Sequence, residues 1–100
     1  MLMGQLAILR MFLLVSIPTD FYDNRRHVHV FRRGGRHLRS LAKIWIEKGG
    51  VKCIEIAESE LSEKDNDMII KAIDKHWDFI NEQISRAFRG EKTRVKDIEE

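Results

Sequence analysis

Apolar and polar positions alternate with a period of two through the middle of the chain and with a period near 3.6 toward its end. The first spacing is that of a strand, whose side chains point alternately to two faces, and the second that of a helix with one apolar stripe. An apolar run from about Ile8 to Ile17, stopped by Pro18, predicts a buried strand. Asp23-Asn24 then marks a turn. His27-Val28-His29-Val30-Phe31-Arg32-Arg33 alternates, with Val28 and Val30 toward a core and His27, His29 and Phe31 on the other face. Gly34-Gly35 ends this strand, and Arg36-His37-Leu38-Arg39-Ser40 reads as a basic loop. Leu41 to Glu47 alternates again, setting Ala42, Ile44 and Ile46 against Lys43, Trp45 and Glu47. Lys48-Gly49-Gly50 predicts a hairpin loop, and Val51 to Ala57 is the returning strand.

From Ser62 the period changes. Ser62 and Asp65 stand at the spacing of a capping box, and Glu63, Asp65 and Asp67 fall where the helix dipole favours acids. Ile70, Ile73, Trp77, Ile80, Ile84 and Ala87 recur every three or four residues and form one stripe. Arg86, Arg89 and Gly90 supply a basic last turn and a glycine terminator. No Gly or Pro interrupts the segment, so the pattern predicts one helix of about 27 residues, roughly 40 Å long at 1.5 Å per residue, with room for a bend near His76.

The predicted fold class is α+β: a small antiparallel sheet of three to four strands packed on one long C-terminal helix. Val28, Val30, Ala42, Ile44, Ile46, Ile54 and Ile56 form its inner face, and the second face is left open. Residues 1–90 make a single domain, and 91–100 form a charged, frayed tail.

A chain of 100 residues with 43% hydrophobic and 34% charged side chains can bury one core without metal or disulfide support. Cys53 is the only cysteine, which excludes a disulfide framework or a cysteine zinc cluster and reads as a small core residue. The N-terminal apolar stretch is interrupted by Arg10 and is too short for a membrane span, so a cytoplasmic protein without membrane attachment is expected. Charge alters this picture more than composition does. Residues 1–46 carry eight Lys/Arg against Asp20 and Asp23, and residues 47–100 carry ten Lys/Arg against fourteen Asp/Glu. A basic half suggests an anionic partner, unless the two halves lie side by side and neutralise each other.

Candidate chemistry sits in that basic half. His27 and His29 share a face about 6.5–7 Å apart along a strand. Around them lie Arg25, Arg26, Arg32, Arg33, Arg36, Arg39 and Lys43, with Trp45 on the neighbouring strand. Three functions compete. The first is a binding module, with cations for phosphate or a surface for a partner protein. The second is metal-independent RNA cleavage, in which His27 and His29 act as base and acid, an arginine steadies the phosphate and Trp45 stacks a base. The third is a metal site in which the two histidines gain a third ligand from Asp20, Asp23, His37 or Glu47. Its cationic surroundings oppose a dication, and no cofactor is expected. The long helix leaves surface for a second copy, so a homodimer is a further expectation.

Phe21-Tyr22, His27-Val28-His29-Val30, Arg33-Gly34-Gly35 and Ala42-Lys43-Ile44-Trp45-Ile46-Glu47, followed by a helix, together resemble the small bacterial proteins of domain-of-unknown-function family 4160. The resemblance runs from about Ile17 to Phe88. It departs at Arg25-Arg26, where the family usually has prolines, and at His37 to Leu41, which are additional residues. It implies a compact α+β fold. It also implies a gene often found beside a second small one in a toxin–antitoxin-like arrangement, and hence an antitoxin-like partner protein or RNA as the binding target.

Overall fold

The computed structural model describes residues 4–17, 25–34 and 39–100. The strands are β1 (Gly4–Leu9), β2 (Phe12–Ser16), β3 (His27–Arg32), β4 (Ala42–Lys48), β5 (Val51–Ser59) and β6 (Lys96–Asp97), and the helices are α1 (Glu63–Lys75) and α2 (Trp77–Phe88). The strands form one sheet in the order β5-β4-β3-β2-β1-β6, antiparallel except where β6 runs parallel to β1. The fold is therefore α+β as expected, but the sheet has six strands where three to four were expected, and two helices replace one.

The additional strands come from both ends of the chain. The apolar run expected as one strand is a hairpin, because Leu9 pairs with Phe12 across a two-residue turn at Arg10-Met11. Arg10 takes φ +56°, the left-handed conformation that such turns demand and that glycine or asparagine usually supplies. Its side chain is exposed and reaches Glu100 at 2.9 Å. At the other end, residues expected to fray contribute β6. Ile98 donates its amide to Ile8 O at 2.8 Å and buries its side chain in the core.

One face of the sheet carries the core. Leu6, Leu9, Phe12, Leu14, Val28, Val30, Ile44 and Ile46 meet Ile69, Ala72, Ile73, Ile80 and Ile84 of the helices, with Ile54 and Ile56 partly buried at the margin. The buried helix stripe begins at Met68 and Ile69 rather than Ile70, which is only half-buried. Gly4 lies so close to α2 that a Cβ built there would be 2.5 Å from Ala87 Cβ. Cys53, expected in the core, is half-buried on the edge strand, its thiol 3.5 Å from Glu55 Oε2.

The helix break falls at His76, with φ −106° and ψ 32°. The two helices serve different parts of a twisted surface: α1 packs on β5 and α2 on β1, at opposite sides of the sheet. Neighbouring strands rotate by about 20–25°, so one straight rod cannot follow both ends. His76 is held at the junction by a bond from its Nε2 to Glu99 O, 2.9 Å, a contact from the segment that carries β6. The predicted caps are present. Ser62 Oγ accepts from Asp65 N at 3.1 Å. At the far end Gly90 takes φ +73°, while Gly90 N and Glu91 N donate to Ala87 O and Arg86 O, a Schellman closure. Gly49 and Gly50, both at positive φ, make the β4–β5 turn in two residues.

Candidate functional site

Alternation on β3 sends Val28 and Val30 into the helix-covered core and His27, His29 and Phe31 to the opposite face, as the sequence pattern requires. That second face is less open than expected. His27 and Phe31 are each only 5% exposed and Val15, opposite His29, is fully buried. His29, Lys43, Trp45 and Glu47 are half-buried. The histidines thus stand on a strand flanked on both sides, where the backbone is rigidly paired.

The two rings lie nearer each other than their backbone spacing, with centroids 5.0 Å apart and planes at 82°. His27 also meets Trp45, its cross-strand partner, edge to face at 5.5 Å. A backbone carbonyl and a committed hydroxyl set the orientation of both imidazoles. His27 Nδ1 is 2.8 Å from Arg25 O, which only accepts, so Nδ1 carries the proton. Ser40 donates its hydroxyl to Ala42 O at 3.0 Å and so accepts from His29 Nδ1 at 3.1 Å. In the neutral rings the lone pair then belongs to Nε2 on both.

The arginines divide rather than gather. Arg25 turns to the histidine face, donates to Glu47 O at 2.7 Å, lies 4.7 Å from the Trp45 centroid and approaches Glu55 at 3.8 Å. Arg26, the next residue, points to the helix side and binds Asn81 and Ser85 of α2. It is a fastening of α2 and not a member of the histidine face. Arg32 follows the parity of Val30, away from the histidines, and touches Met11 Sδ. Arg33 is exposed past the end of β3, and Arg39 pairs with Glu60 at 3.1 Å. Lys43 sits 4.5 Å from the Trp45 centroid, so two cations of this chain already flank the indole. Arg36 and the basic loop segment 35–38, with the possible ligands Asp20, Asp23 and His37, lie outside the described residues.

The basic and acidic halves do lie side by side. Glu55, Glu58 and Glu60 of the β5 side face Trp45, Lys43 and Arg39. Beside His29 a cavity of about 270 Å³ is lined by Ser40, Lys43, Glu58 and Glu60. Among the described residues no group of three or more His, Cys, Asp or Glu is placed to hold a metal ion, and no helix is long and apolar enough to cross a membrane. Sequence reasoning missed Ser40 and Glu55. Ser40 had a usable signal, a hydroxyl just before an alternating strand, whereas Glu55 becomes relevant only through the register of β5.

The comparisons with known proteins cover this part of the chain. Residues 19–83 match the family described as Domain of unknown function (DUF4160), and neither a curated protein nor a solved structure matches. The match takes in β3, β4, β5, α1 and the first half of α2 but not the β1–β2 hairpin or β6. Since it spans well over half of the sequence and includes the whole histidine strand, the chain belongs to the DUF4160 family.

Proposed function

We propose that the domain is the binding component of a toxin–antitoxin-like pair and docks a partner protein on the surface around Trp45, Lys43 and His29. The observation that carries this reading is the internal use of three arginines of the basic block. Arg26 is spent on α2, Arg39 on Glu60, and Arg25 on Glu47 O and Glu55. Cations balanced in this way give little of the sequence-independent phosphate affinity that unopposed ones give. What stays half-exposed is an aromatic ring with Lys43 over it and carboxylates beside it, the mixed composition of a protein interface.

The test is co-purification of the tagged chain with the product of its neighbouring gene, beside filter binding of RNA across salt concentrations. Stoichiometric co-elution that Trp45→Ala abolishes, with weak RNA retention, is the expected result. Tight RNA binding with a steep salt slope would replace the partner protein by a polyanion.

A second reading has one observation in its favour. Rings 5.0 Å apart with Nδ1 fixed on both are close enough to act on one phosphodiester as base and acid. Cleavage of end-labelled RNA in EDTA by the wild type, and not by His27→Ala/His29→Ala, would establish it.

A further inference from the structure

The segment 91–100 closes the sheet at the edge opposite β5, and the closure is slight. β1 is six residues long, yet β6 pairs with only Ala7 and Ile8 of it. Residues Glu91 to Val95, which lead to β6, have no regular structure. Beyond the two paired residues the arm is held by a few specific groups. Ile98 enters the core, and Ile98 N donates to Ile8 O. The buried Gln83 side chain donates to Arg94 O at 2.7 Å and Leu6 O at 3.2 Å, and accepts from Arg94 N at 3.2 Å. Arg10 takes Glu100 and Lys75 takes Glu99. Lys96 lies over Phe79 at 4.2 Å from the ring centroid.

All of these partners of the arm stand on β1, the β1–β2 turn and the helices. They read an extended strand that offers a backbone amide and carbonyl to Gln83, an isoleucine four residues later and two acids after that. The arm of another copy offers the same groups in the same order. The geometry points to the β1 edge as a strand-acceptor site whose occupant in trans is the C-terminal arm of a second copy, exchanged for the chain's own. This site is on the far edge of the sheet from Trp45 and stands independently of the function proposed above.

Tethering decides between the two sources. A short connection holds its own arm at an effective concentration on the order of mM, so exchange appears only as the protein approaches that range. Sedimentation of the wild-type chain of 100 residues from micromolar concentrations to about 1 mM should show a monomer giving way to a dimer. The Ile98→Asp chain should stay monomeric. A dye-labelled synthetic peptide of residues 91–100 should bind that variant at least ten-fold more tightly than it binds the wild type, whose own arm competes. The peptide carrying Ile98→Asp should not bind. A wild type that remains monomeric throughout, or a folded Ile98→Asp chain that ignores the peptide, would overturn the proposal. Should Ile98→Asp fail to fold, Ile98→Ala takes its place, and the wild-type sedimentation decides without either.

Discussion

The two faces of β3 are built from the same strand in opposite ways. Val28 and Val30 are held by shape: they fill a core shared with five strands and two helices, and each contact is weak, non-directional and replaceable. His27 and His29 are held by direction: a carbonyl on one Nδ1, a hydroxyl on the other, and an edge-to-face indole between strands. The first face keeps the sheet folded. The second keeps two titratable rings in one orientation, which a binding or reacting surface needs and a merely stable one does not. Buried polar groups of this kind gain little net stability when satisfied and cost much when half satisfied.

The sharpest way to break the comparison is to cut into each face. Ile44→Ala, in the core opposite Val28, should cost about 2–5 kcal/mol by chemical denaturation, close to unfolding a domain of this size. His27→Leu keeps the bulk but strands Arg25 O, and should cost about 1–3 kcal/mol while leaving the far-UV circular dichroism unchanged. A cost as large as that of Ile44→Ala would mean that the histidine face carries the fold as well. Ser40→Ala removes the acceptor that orients His29 and should cost about 1 kcal/mol or less, with a larger loss in partner affinity than in stability. The smallest effect is a gain. Arg10→Gly relieves the left-handed φ at the first turn and should stabilise by a few tenths to about 1 kcal/mol, less the exposed ion pair with Glu100.

What could be read from the sequence follows the same division. Alternation gave the apolar partition of β3 and β4, Gly49-Gly50 their hairpin partner, and Ser62 and Gly90 the limits of the helical segment, because each depends on neighbours along the chain. The Arg10-Met11 turn was hidden because an arginine occupies the position where glycine would announce a positive φ. The helix break at His76 has no Gly or Pro to mark it, since it answers to the twist of a sheet and to Glu99, 23 residues away. The candidate site was legible as a set of residue types but not as an arrangement. Adjacent arginines 25 and 26 look alike in a basic run, yet alternation sends them to opposite sides, one to Trp45 and one to α2. Their charge could be counted in advance; the carboxylates that answer it depend on the pairing of β5 with β4.

The bond from Gln83 to Leu6 O joins residues 77 apart, and the Arg10–Glu100 pair spans 90. During synthesis the β1–β2 hairpin therefore leaves the ribosome long before the groups that finish its outer edge exist. At the roughly 5–20 residues per second of translation, that edge waits for several seconds. Leu6 O, which faces the β6 side and accepts from Gln83, stays open to water or to a neighbouring nascent chain through this interval. The slowest part of this domain to become safe is thus the part made first.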